Sequence, residues 1–158
     1  MDMFQIEWWN EEIDKMAEGQ NQRNVKYITT FYKNIATAID KIEYGMQVKK
    51  NIAQKKLEEA RRNGASDLEL EKIAKSGDPA KSNIERLEAL RGVMSRFVGV
   101  QVESLTVPIK EKRRAIVKGS LKLSDYTELE ELSMLREELK NSKYYIKSND
   151  KNEEEKGG

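Results

Sequence analysis

QRNVKYITTFYKNIATAIDKIEYGMQVKKNIAQKKLEEARR, residues 22–62, is the stretch that decides the fold. Its apolar positions are Val25, Ile28, Phe31, Tyr32, Ile35, Ile39, Ile42, Met46, Ile52 and Leu57, at intervals mainly of three and four. That is the period of an amphipathic α-helix, and no proline interrupts it. A helix of about 40 residues would run roughly 60 Å, twice the ~30 Å width of a small domain. Such a helix implies an elongated molecule or a coiled coil. Gly45 inside it should mark a close helix crossing or a slight bend.

Moving outward, Arg61-Arg62-Asn63-Gly64 places bases in a last turn and then a stop signal. Ser66-Asp67-Leu68-Glu69 has capping-box spacing and should open a short helix through Lys75, with Ser76-Gly77-Asp78-Pro79 as a turn. A second long helix starts near Pro79 or Ala80. Its stripe is Ile84, Leu87, Leu90, Val93 or Met94, Phe97, Val98, Val102 and Leu105, and it should pack antiparallel on the first. Pro108 should kink or restart the helix. A third stretch carries Ile109, Ile116, Val117, Leu121, Leu123, Tyr126, Leu129, Leu132, Leu135 and Leu139, with an interruption at Gly119-Ser120 and a cap at Ser124. The reading is an all-α fold: one elongated antiparallel bundle or coiled coil of three long helices over residues 1–147, dimerising, with a disordered polar tail at 148–158.

Composition agrees. Hydrophobic residues make up 37% of the 158-residue chain and charged ones 36%, with two prolines and a mean hydropathy of −0.82. That is the balance of exposed helices, and narrow apolar stripes gain most when joined across two chains. Phe31, Ile35, Ile39, Ile42, Phe97 and Leu105 are the expected core and dimer-packing residues. Cysteine and histidine are both absent, which removes disulfides, thiolate sites and the commonest general base and metal ligand. Glu11-Glu12, Glu58-Glu59, Glu130-Glu131 and Glu137-Glu138 are adjacent acids that diverge by about 100° on a helix and form no shared site. No phosphate loop, dinucleotide fingerprint, nucleophile elbow or metal signature occurs. The expectation is a protein that is not an enzyme and takes no cofactor or metal.

The net charge of +1 hides blocks. Residues 1–20 carry one base and six acids, whereas 21–62 carry ten bases and four acids. Residues 108–122 carry six bases against one acid, and 123–158 six against ten. Two basic tracts point to an anionic partner, the alternative being solvated helix faces. Nucleic acid is a weak candidate for that partner, because no recognition helix or RNA-binding signature accompanies Lys110-Glu111-Lys112-Arg113-Arg114. No apolar run approaches the ~18 residues that span a bilayer, so a cytoplasmic protein is expected.

Phe4, Ile6, Trp8 and Trp9 precede the long helix and should pack on the helical body; a membrane wedge is the alternative, opposed by Glu7, Glu11 and Glu12. Tyr27, Tyr32 and Tyr44 lie on or near the stripe as packing residues.

The order of these features resembles the F-BAR family, within the BAR superfamily of membrane-curving helical dimers. The resemblance is carried by Phe4 with Trp8 and Trp9, Gly19, Phe31-Tyr32, Glu43-Tyr44, Lys49-Lys50 and Lys55-Lys56, then Pro108-Ile109 before Lys110, Lys112, Arg113 and Arg114. It covers about residues 4–118, and residues 119–158 fall short of the family's remaining helices, as in a short or truncated version. It implies a crescent-shaped antiparallel homodimer whose basic concave face lies on phosphoinositide- and phosphatidylserine-bearing membrane. The lipid contacts it implies are Lys49, Lys50, Lys55, Lys56, Lys110, Lys112, Arg113 and Arg114. A coiled-coil adaptor or assembly subunit that binds another protein without lipid is the alternative.

Overall fold

The computed structural model describes residues 3–119 and 122–146. The expected packing of the Phe4 side chain, the stripe position Leu121 and the tail at 148–158 lie outside what it describes. All regular structure among the described residues is helical, in the order α1 (Met3–Ala17), α2 (Val25–Arg62), α3 (Asp67–Ser76), α4 (Lys81–Ser104), α5 (Thr106–Val117) and α6 (Leu123–Lys140).

The helix ends follow from local chemistry. At the end of α1, Gly19 N donates to Met16 O at 3.0 Å and Gln20 N to Lys15 O at 3.1 Å, with Gly19 at φ 100°. Gly64 repeats the arrangement after α2: its own N donates to Arg61 O at 3.2 Å, Ala65 N donates to Ala60 O at 2.9 Å, and φ is 75°. Both are paired C-terminal caps in which a left-handed residue satisfies orphan carbonyls, and glycine adopts that conformation without a Cβ penalty. Asn24 Oδ1 accepts from Tyr27 N at 3.0 Å, so α2 begins at Val25 rather than Gln22. Ser66 Oγ accepts from Glu69 N at 3.3 Å, the cap that the sequence spacing predicts for α3.

The third expected helix is two, α5 and α6, parted near Gly119, whose φ is 102°. Ser124 does not cap α6. The cap lies two residues earlier, at extended Lys122, which makes no side-chain hydrogen bond, and the helix starts at Leu123. Pro108 lies in the first turn of α5, where a missing N–H is tolerated. The break from α4 is the single residue Leu105, which keeps a helical φ of −70°.

The chain divides into two compact units. The first holds the described residues within Met1–Ile35 and Arg91–Gly158. Its core joins Trp9, Ile13 and Met16 of α1, Ile28, Phe31 and Ile35 of α2, Met94, Phe97, Val98 and Val102 of α4, Leu105 and Ile109, and Leu132, Leu135 and Leu139 of α6. The Phe31 and Phe97 rings lie 4.9 Å apart with a tilt of 32°. Full burial of one such side chain is worth about 1.5–3 kcal/mol, so this set is the main source of stability in the unit. The amino-terminal aromatics pack here in part: Trp9 is 2% exposed, while Trp8 is half exposed with its ring 6.2 Å from Phe31. Arg96 of α4 fixes the register of α1 by donating to Asn10 O at 3.2 Å and Asn10 Oδ1 at 3.1 Å and by pairing with Asp14.

The second unit, Ala36–Leu90, contains the rest of α2, all of α3 and the start of α4. Its buried apolar side chains are Ile39, Ala53, Leu87 and Leu90, and α3 buries none. Gly77 lets the turn after α3 close on α2. A Cβ there would lie 2.6 Å from Ala53 Cβ and 3.5 Å from Lys50 Cα, inside contact distance of the first. Gly45 behaves otherwise: a Cβ at that position meets nothing within 4 Å, so the expected close crossing does not occur among the described residues. Ile42 is half-buried, and Tyr44, Ile52 and Leu68 are exposed.

Candidate anion-facing surface

The bases singled out by the sequence fall in both units: Lys49, Lys50, Lys55 and Lys56 on α2 in the second, and Lys110, Lys112, Arg113 and Arg114 on α5 in the first. At about 100° per residue, Lys49 and Lys56 share one face of α2, while Lys50 and Lys55 project to either side. All four are exposed, and none forms an ion pair or side-chain hydrogen bond among the described residues. On α5, Lys110, Arg113 and Arg114 fall within about 100° of one another, and Val117 lies in the same sector. The three bases are exposed and free of ion pairs among the described residues, and Val117 is 85% exposed beside them.

Lys112 is set apart. It lies about 200° around α5 from Lys110 and faces α6. Its Nζ donates to Asp125 Oδ1 at 2.7 Å and pairs with Glu128 Oε2 at 2.9 Å, leaving its side chain 16% exposed. Arg23 closes the cluster, its Nε donating to Glu128 Oε1 at 2.5 Å. Hydrogen bonds from its amine to Asp125 and Glu128 push Lys112 above its ordinary value. Burial alone would raise the Glu128 carboxyl, but hydrogen bonds from Arg23 and Lys112 outweigh it and hold the group below the usual range. Lys112 therefore clamps α5 to α6, while Lys110, Arg113 and Arg114 on α5 and, in the other unit, Lys49, Lys50, Lys55 and Lys56 on α2 carry no ion pair among the described residues.

The expected packing residues are mostly interior to the single chain. Phe31, Ile35, Ile39, Phe97 and Leu105 are buried without a second copy. Tyr27 is half-buried and polar in role, donating its hydroxyl to Glu12 Oε2 at 2.9 Å. The Glu12 carboxyl is lowered by that hydrogen bond and by Lys15, and the Tyr27 hydroxyl is raised by burial and by Glu12.

Two features escape a reading of charge tracts. Arg23 and Glu128 are 105 residues apart and meet only in the fold. Arg136 and Ser133 on α6 join Lys110 and Arg113 around a cleft of about 360 Å³, although they lie in an acidic stretch of sequence. Among the described residues no group of three or more acidic side chains is placed to hold a metal, and no helix is long and apolar enough to cross a membrane. Comparison with protein-family models, with curated proteins and with solved structures gives no match.

Proposed function

We propose that this chain is a non-enzymatic module that docks on anionic phospholipid through Lys49, Lys50, Lys55, Lys56, Lys110, Arg113 and Arg114, and that it acts as a homodimer, as its resemblance to the F-BAR family implies. The observation that carries this reading is that these seven side chains are exposed and keep their charges free of ion pairs among the described residues, although the chain holds 28 acids. Each base near an anionic leaflet contributes about 1 kcal/mol, so several suffice for salt-sensitive attachment. Exposed Val117 amid the bases of α5 adds apolar contact at the headgroup boundary. Lys112 supports the α5 bases from behind by holding α5 on α6.

A stripe on α2 supports self-association. Tyr44, Val48 and Ile52 recur every four residues, the first and last exposed, and Gly45 beside them leaves room for another backbone. The same stripe supports the second reading, an adaptor that holds a different protein helix.

The test is co-sedimentation with phosphatidylserine- and phosphoinositide-containing vesicles at about 50 and about 300 mM salt, with light scattering for mass, since screening shortens to under ~10 Å across that range. A dimer that pellets only at low salt supports the membrane reading. Changing Lys49, Lys50, Lys110, Arg113 and Arg114 to Glu should then abolish pelleting with helicity and mass retained. Protein left in the supernatant at both salts overturns it. Ile52→Glu should halve the mass of a homodimer built on the α2 stripe, and a monomeric wild type removes that part of the proposal.

A further inference from the structure

Facing sides of α5 and α6 enclose the cleft of about 360 Å³. Thr106, Ile109, Lys110 and Arg113 come from α5 at steps of three and four, and Ser133, Arg136 and Glu137 from α6 in the same way. Three cations therefore line one small space. None of them is paired with a carboxylate among the described residues, although Glu137 lines the same cleft. Like charges gathered in this way repel one another, and an anion seated among them would relieve that repulsion.

The donors are also held in place. Arg136 Nε donates to Val102 O at 3.1 Å, near the end of α4, where helix carbonyls lack partners of their own. That bond fixes the plane of the guanidinium and leaves its two terminal nitrogens for a ligand. The Ser133 hydroxyl is half-buried and engaged by no group among the described residues, so it is free to donate. Thr106 is different: its hydroxyl proton already goes to Glu103 O at 2.6 Å, and its oxygen can only accept. A fixed arginine fork, a neighbouring hydroxyl and two flexible cations are what oxyanion recognition requires.

We propose that this cleft binds a phosphomonoester. Three cations and one carboxylate leave the lining with two net positive charges, which complement the roughly −1.5 to −2 of a phosphomonoester at neutral pH better than the single charge of a diester. The cleft is at the small end of ligand sites, about 300–1,000 Å³, and takes a phosphate with a compact substituent. The phosphate belongs either to a lipid headgroup or to a small soluble ester; the lipid case rests on the membrane reading above, through the shared Lys110 and Arg113.

Calorimetry on the full chain with glycerol phosphate and inorganic phosphate tests the site, alongside sedimentation with vesicles of phosphatidylcholine carrying either phosphatidic acid or charge-matched phosphatidylserine. Saturable binding of glycerol phosphate is expected. Arg136→Gln should weaken it about tenfold, Ser133→Ala several-fold, and Glu137→Gln should tighten it. Affinity should also fall as pH drops through about 6, where the ester loses its second charge. Because Arg136→Gln also frees the Val102 carbonyl, Ser133→Ala and Lys110→Gln serve as variants that leave that bond intact. Preference for phosphatidic acid over phosphatidylserine, lost in the cleft variants, supports the site with a lipid source. Binding of the soluble ester without vesicle binding supports it with a soluble source, and sinks the membrane reading alone. Vesicle binding that depends on Lys49 and Lys50, with no heat from either phosphate, overturns the cleft and leaves the membrane reading standing. No binding to any probe overturns both.

Discussion

Lys112 Nζ lies 2.7 Å from Asp125 Oδ1, and this ion pair ties α5 to α6, with Glu128 as the second carboxylate at 2.9 Å. The linkage has opposite signs at the two ends of the pH scale. Glu128 is held below its ordinary 4.5, so the unfolded chain binds the proton more readily, and the stability it adds is present above that value and lost as pH falls through the folded one. Lys112 is raised above 10.5, so its contribution is complete below that value and lost as pH rises through the folded one. Glu128→Gln should lower the melting temperature at neutral pH and flatten the acid limb of stability. Lys112→Gln should lower it at neutral pH and flatten the alkaline limb. Melting curves across pH check both, and parallel curves for wild type and variant would refute the assignment.

Gly77 and Gly45 should respond to alanine in opposite directions. At Gly77 the added Cβ collides with Ala53, and overpacking of this kind costs about 1–3 kcal/mol. At Gly45 the space is open, and replacing a mid-helix glycine should stabilise the folded chain by about 0.5–1 kcal/mol. Native-state hydrogen exchange, followed over residues 36–90, reads both changes; a neutral Gly77→Ala would contradict the closure of the α3–α4 turn on α2.

Gln101 is 1% exposed and its Oε1 has no hydrogen-bond partner among the described residues. An unsatisfied buried acceptor costs about 1–3 kcal/mol. Gln101→Met, which is close in length and apolar, should therefore raise stability by about 1–2 kcal/mol in denaturant titration. A loss of stability would mean that the amide is satisfied in solution.

Phe97 is wholly buried against Phe31, so Phe97→Ala should destabilise the chain by about 3–5 kcal/mol. Leu105 is equally buried. Neither residue discriminates an adaptor from a membrane binder, because removing either injures the fold before it touches a partner. Exposed Ile52 and Tyr44 are the positions that report on a partner helix. Urea unfolding of Phe97→Ala checks the magnitude.

The sequence by itself determined the helical class and several helix ends, among them the stop after Arg62 and both ends of α3. Apolar spacing of three and four, glycine after Arg61-Arg62-Asn63 and serine three residues before Glu69 act through backbone hydrogen bonds a few residues long, so they are legible without tertiary context. The extended α1, the start of α6 and the division into two units were not. Charge tracts showed which residues are basic but not which are free: Lys112 sits among bases in sequence, yet a helical wheel turns it away from Lys110, and only the fold supplies Asp125 and Glu128 on that side. The cleft shows the same limit from the other direction, because Arg136 belongs to an acidic stretch and meets Lys110 and Arg113 only when α6 packs along α5. Local hydrogen bonding and periodicity are written along the chain, whereas the neighbours that neutralise or concentrate a charge lie many residues away and are chosen by packing.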